Sequence, residues 1–109
     1  MSASAPPPVP GPKIVVRADP DLRDLIPEYL EDRRRELPPL DAALSKGDFE
    51  TIRGVGHRLR GTGGGYGFDE LTTIGASLEK AAKERHVETV RRDLARLAAY
   101  LGSVEVVYG

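Results

Sequence analysis

His57 is one of only two histidines in a chain that has no cysteine. It opens the segment His57-Arg58-Leu59-Arg60-Gly61-Thr62-Gly63-Gly64-Gly65-Tyr66-Gly67-Phe68. From Thr51 to Phe68 there is no acidic residue, while Arg53, Arg58 and Arg60 are all basic. A neutral imidazole is a competent nucleophile near neutral pH, because its unperturbed pKa is ~6.5. Guanidinium groups one helical turn away stabilise dispersed negative charge such as that of a phosphoryl group in transfer. They also oppose protonation of the ring. This combination suits nucleophilic phosphoryl chemistry at His57.

Helical geometry sharpens that reading. Phe49, Ile52, Gly56, Leu59 and Gly63 repeat at steps of three and four and define a buried stripe. His57 lies ~200° around the helix from Leu59, so it faces solvent. Arg53, Arg60, Gly61 and Gly64 fall on its own face, at four before and three, four and seven after. Glycine in a helix interior costs ~1 kcal/mol relative to alanine. Exposed glycines at 61 and 64 therefore point to access: bare backbone lets a large partner descend onto the imidazole.

Other chemistries fit less well. The glycines lack the Gly-Lys-Ser/Thr ending of a phosphate-binding loop and the strand that precedes a dinucleotide-binding turn. His86 sits in the polar junction Lys83-Glu84-Arg85-His86, a surface or turn position, and two distant histidines make no metal site. Arg33-Arg34-Arg35 lies among Glu31, Asp32 and Glu36 and reads as a solvated helix face. The net charge of -1 and the pI of about 6.1 argue against a general nucleic-acid binder. No apolar run approaches the ~20 residues that span a bilayer, so no membrane insertion is expected. Without a secretory signal or cysteines, the expected location is cytoplasmic.

The elements that must position His57 are helices. At 109 residues, 39% hydrophobic and 6% aromatic, the chain suits one small domain, and its apolar set is dominated by Leu and Ala. Residues 1–12, rich in Pro, Ser, Ala and Gly, read as a disordered leader or linker, with the domain proper over 13–109. Asp19-Pro20 is a helix start, and Pro27 kinks or restarts the helix. Leu30, Leu37, Leu40 and Leu44, with Arg33 on the same stripe, predict a kinked but persistent helix running through Pro38-Pro39 to Gly47. Asp48 caps the helix that carries His57. A third helix follows Asp69 with Leu71, Ile74, Leu78 and Ala82 inward. A fourth has Val87, Val90, Leu94, Leu97 and Leu101 inward. The fold class is all-α: an up-down-up-down four-helix bundle with an additional short N-terminal helix. The β-branched runs at 13–17 and 104–108 could pair or simply pack. No long apolar stripe is left over, so a monomer is expected.

At this point the chain resembles the histidine-containing phosphotransfer (HPt) domain family. Members carry a pattern like His-x-Leu-Lys-Gly, then a small residue, then Gly ten positions after the His. Here these are His57, Leu59, Arg60 for the Lys, Gly61, Thr62 and Gly67, followed by Phe68, Leu71 and Leu78-Glu79. The resemblance spans roughly 13–108, with 48–82 motif-specific. It implies an exposed phosphoacceptor, His57, which takes a phosphoryl group from a receiver-domain aspartate of a response regulator or hybrid kinase and passes it to another receiver. It implies no ATP site, no enzyme activity of its own and no cofactor, with Mg²⁺ held by the receiver. Arg60 would stabilise the phosphoryl group, and Arg53, Gly61, Thr62 and Gly64 would meet the partner, with Thr62 able to add a hydrogen bond. Arg in place of Lys keeps the charge but changes reach and geometry. Two alternatives stay open: the histidine-bearing domain of a chemotaxis-type kinase, phosphorylated by a separate ATP-binding domain, and a helical adaptor that binds receivers without being phosphorylated.

Overall fold

The computed structural model describes residues 13–109; the leader read over 1–12 lies outside them. Five helices dominate: α1 (Ile26–Arg35), α2 (Leu37–Lys46), α3 (Phe49–Thr62), α4 (Asp69–Lys83) and α5 (Val87–Ser103). Helices α2 to α5 form the bundle. Each of α2 and α4 neighbours both α3 and α5, and short connections make consecutive helices antiparallel. Helix α1 is the first half of the helix expected through Pro38-Pro39 and packs on α2 and α5; the additional short N-terminal helix expected ahead of it is absent among the described residues.

The expected helix through Pro38-Pro39 persists but divides, and the division falls at Glu36 rather than at the prolines. Pro38 and Pro39 occupy the first turn of α2, where a missing N–H costs no intrahelical bond. Glu36 itself keeps right-handed helical dihedrals, and its carbonyl accepts from Leu40 at 3.0 Å. Asp19-Pro20 starts only a single 3-10 turn, Pro20–Leu22. Asp48 caps α3 as expected: its carboxylate accepts from the Thr51 N–H at 3.2 Å and the Thr51 hydroxyl at 2.7 Å. Those two bonds hold its pKa below the ordinary value.

The core is aliphatic. Ile52, Leu59, Leu71, Ile74, Leu78, Val90, Leu97 and Leu101 are fully buried, so the stripes of α3, α4 and α5 face inward as the periodicity requires. Val87 is the exception: it is 40% exposed at the first position of α5, beyond the reach of neighbouring helices. Leu37 and Leu44 are half-buried at the edge. Arg33 shares their stripe by laying its guanidinium 4.7 Å from the Tyr29 ring while pairing with Glu36 at 2.9 Å. Arg34 donates two bonds to the Leu101 carbonyl, tying α1 to the C-terminal end of α5.

The two β-branched runs do pair. Strands β1 (Ile14–Ala18) and β2 (Val104–Tyr108) form a parallel two-stranded sheet in the register Ile14↔Val104 to Ala18↔Tyr108. Such a sheet is marginal alone. Here Val16, Ala18, Val104, Val106 and Tyr108 pack against the core, and α5 runs straight into β2.

Between α3 and α4 the chain makes one 3-10 turn, Gly64–Tyr66, then a left-handed step at Gly67 (φ 92°) that a side chain would strain. The turn tucks Phe68 into the core and stacks Tyr66 on Tyr29, ring centroids 4.2 Å apart. Beside it the Thr72 hydroxyl is buried without a hydrogen-bond partner among the described residues. Thr72→Val keeps the shape and removes that unsatisfied group, so it should raise the unfolding free energy by about 1 kcal/mol. Denaturant titration measures this, and a destabilised variant would show that the hydroxyl is in fact hydrogen-bonded.

Candidate functional site

His57 lies in the middle of α3 with its side chain 61% exposed. It is not free to rotate. Its Nδ1 is 2.9 Å from Oε2 of Glu79 on α4. A carboxylate can only accept, so Nδ1 carries the proton and donates to Glu79. The tautomer follows: Nε2 bears the lone pair and has no hydrogen-bond partner among the described residues, while the ring as a whole stands open to solvent.

Arg60 completes the triangle. Its Nε donates to Oε1 of Glu79 at 3.0 Å, and its Nη2 lies 3.2 Å from His57 Nδ1. With Nδ1 already a donor, this last approach brings positive charge to the ring's edge and adds no second hydrogen bond. The carboxylate thus has both oxygens engaged. Its pKa is lowered, first by the bond from His57 and then, against some burial, by the charge of Arg60. Without Arg60, a phosphoryl group arriving at His57 would meet an uncompensated carboxylate.

The distance from α3 to Glu79 is set by two glycines. A Cβ at Gly56 would fall 2.7 Å from the Glu79 amide nitrogen, and one at Gly75 would fall 2.5 Å from the Arg60 amide nitrogen. The helices touch backbone to backbone there. That contact brings Glu79, 22 positions along the chain, within hydrogen-bond reach of the imidazole.

The remaining expected site residues divide. Gly61 is exposed on α3 with nothing within 4 Å of a would-be Cβ, consistent with open access beside His57. Gly64 is not on that face: α3 ends at Thr62, and Gly64 opens the 3-10 turn, facing Thr72 and Asp69. Extrapolating the helix to seven residues past His57 overran its end. The Thr62 hydroxyl is already committed, donating to the Arg58 carbonyl at 2.9 Å and standing 2.9 Å from the Tyr29 hydroxyl. It ties α3 to α1. Arg53 forms a close ion pair with Glu50 and lies in the groove between α3 and α4 that also contains Arg60 and Glu79.

Glu79 is the candidate site residue that the sequence reading missed. It carried no role there, although it follows the buried Leu78 and so flanks the inward stripe of α4. Glu79→Ala should leave the fold intact and slow phosphorylation of His57 by roughly 10- to 100-fold, the loss seen when a carboxylate that orients a metal-bound histidine is removed. Rapid-quench labelling reads this, and an unchanged rate would remove Glu79 from the mechanism.

Fold and site together define a helical bundle that presents His57 on its surface, held by a carboxylate and a guanidinium. The family comparison agrees: the Hpt domain model matches residues 24–105, so the chain belongs to the Hpt domain family. Hpt domains are histidine phosphotransfer carriers of two-component signalling that work with receiver domains. The match omits β1 and the end of β2. No curated protein and no solved structure matches the chain. Among the described residues, no helix is long and apolar enough to cross a membrane.

Proposed function

We propose that this domain is a phosphorelay intermediate in which Nε2 of His57 accepts a phosphoryl group from a receiver-domain aspartate and hands it to a second receiver. The observation that carries this is the Nδ1 contact to Glu79, which leaves the Nε2 lone pair outward. In the transfer, Nε2 forms the new N–P bond as the P–O bond to the aspartate breaks, and the aspartate recovers its carboxylate. The Nδ1 proton stays on the ring, facing Glu79, which balances the positive charge the ring acquires. Arg60 can turn one N–H from Glu79 to the phosphoryl oxygens. Mg²⁺, supplied by the receiver, would neutralise charge on the donor side. Gly61 leaves room for the receiver, and Arg53 lies on its path. The described residues work as a carrier, and the setting is a cytoplasmic relay with the domain acting as a monomer.

A second reading draws on the same contact. A carboxylate on Nδ1 raises electron density at Nε2, which a donor less activated than an acyl phosphate, such as the γ-phosphoryl of ATP on a separate kinase domain, would need. The test is labelling of the protein by a panel of radiolabelled phosphorylated receivers with Mg²⁺, beside labelling by histidine-kinase catalytic domains with ATP. Rapid, acid-labile label from receivers supports the relay. Label only from a kinase domain with ATP supports the second reading. Receiver binding without label from either source would mark the chain as a non-phosphorylated adaptor.

A further inference from the structure

A groove of about 330 Å³ runs between α3 and α4, lined by Arg53, Arg60, Ala76, Glu79, Lys80 and Lys83. Two of these residues, Arg60 and Glu79, also touch His57, so the groove begins at the phosphoacceptor. Its charge is unusual for a chain with a net charge of -1. Glu79 and Glu50 offset Arg60 and Arg53. Lys80 and Lys83, on the α4 wall, are exposed, and among the described residues neither makes an ion pair. Ala76, one turn before Lys80 on α4, adds only a methyl group to the lining. Two ammonium groups without an ion pair among the described residues thus line the groove that leads to His57.

We infer that this groove is the docking track for the acidic rim of a receiver domain, with Lys80 and Lys83 drawing the partner over α4 as its aspartyl phosphate approaches Nε2. The inference rests on the relay reading above and adds the side from which the partner comes. A donor that presents a phosphorylated aspartate and binds Mg²⁺ must surround it with further carboxylates, and these are the groups two free ammonium ions attract. Lysine suits the task. It is a hydrated point charge on a flexible stem, favouring a fast, reversible encounter over a fixed bidentate lock. A relay protein has to release one receiver before meeting the next. The attraction acts mainly on the association rate and is screened by salt over ~8 Å at physiological ionic strength.

The experiment compares the wild type with Lys80→Glu/Lys83→Glu. The control is Lys46→Glu/Arg92→Glu, which makes the same change in net charge at exposed positions on α2 and α5. Each is given a phosphorylated receiver at sub-saturating concentration, and separately phosphoramidate, a small donor that needs no docking. The groove variant should lose about tenfold or more in the second-order transfer rate at low salt. The gap should narrow at high salt, and Lys80→Gln/Lys83→Gln should fall between. The control should stay close to wild type, and phosphoramidate labelling should be equal in all. A groove variant no slower than the control overturns the inference while leaving the relay intact. So does a loss seen equally with phosphoramidate, which would place the lysines in reactivity and not in docking. A wild type labelled by phosphoramidate but by no receiver would sink the relay reading, and the docking track with it.

Discussion

His57→Gln is expected to abolish phosphoryl uptake from every donor while the bundle stays folded. The chemical part is simple: an amide nitrogen has no free lone pair, and the other histidine, His86, lies at the α4–α5 junction with its Nδ1 3.0 Å from the Thr89 hydroxyl. The structural part follows from exposure. The His57 side chain is 61% exposed and fills no core space, and surface substitutions of this kind usually change stability by no more than ~0.5 kcal/mol. A second readout comes from Glu79. Its pKa is held down first by the bond from His57. A lowered carboxylate pKa contributes stability above the ordinary carboxylate range, and that contribution is lost as pH falls through the lowered value. In His57→Gln the Glu79 carboxyl should therefore titrate at higher pH than in the wild type, because the largest influence that lowers it is gone. Carboxyl-resolved NMR titration measures this. Label retained in the variant would remove His57 as acceptor. An unmoved Glu79 titration would mean that the imidazole contact is not made in solution.

The sequence is explicit about His57 and silent about what orients it, for a physical reason. Exposure of the ring is a property of one helix, and the three-and-four spacing of Ile52, Gly56 and Leu59 determines it locally. The same holds for the inward stripes of α4 and α5 and for the Asp48 cap. The bond to Glu79 depends on how closely two helices approach and at what height they meet. Those quantities come from Gly56 meeting the Glu79 backbone and Gly75 meeting that of Arg60. A periodicity argument puts Gly56 on the inner face of α3 but does not say which backbone it meets, or at what height. The β1–β2 pairing likewise stays open in the sequence, with simple packing as the alternative. It joins five-residue runs from opposite ends of the domain, and no local pattern names a parallel partner so distant. Gly64 and Val87 show the opposite failing: a stripe continued one turn past Thr62, or started one turn before the core encloses α5, assigns a face where no neighbour exists to define it.

Gly75→Ala is expected to be the most damaging single-methyl change in the domain. Alanine would ordinarily strengthen a helix by ~1 kcal/mol over glycine. At this position the added Cβ lies 2.5 Å from the Arg60 amide nitrogen, 2.7 Å from the Gly56 carbonyl oxygen and 2.7 Å from the Leu59 Cβ. Two of these atoms belong to backbone and cannot rotate away, so the helices must separate. Overpacking of this kind costs about 1–3 kcal/mol, occasionally more, and so outweighs the propensity gain. For a domain of this size each kcal/mol moves the melting temperature by roughly 4–8 °C, so a fall of about 10 °C is expected. The functional consequence goes further than the thermal one. Separation of α3 from α4 lengthens the His57–Glu79 bond, so the folded variant should accept phosphate more slowly than wild type even well below its melting temperature. Gly61→Ala supplies the contrast. Nothing lies within 4 Å of its added Cβ, so stability should hold or rise slightly, His57 should react normally with phosphoramidate, and only transfer from a receiver should slow, because the methyl group stands where the partner descends. Calorimetry and paired labelling separate the two glycines. If Gly75→Ala melted like the wild type and transferred at the same rate, the close helix contact would not be what holds Glu79 against the imidazole.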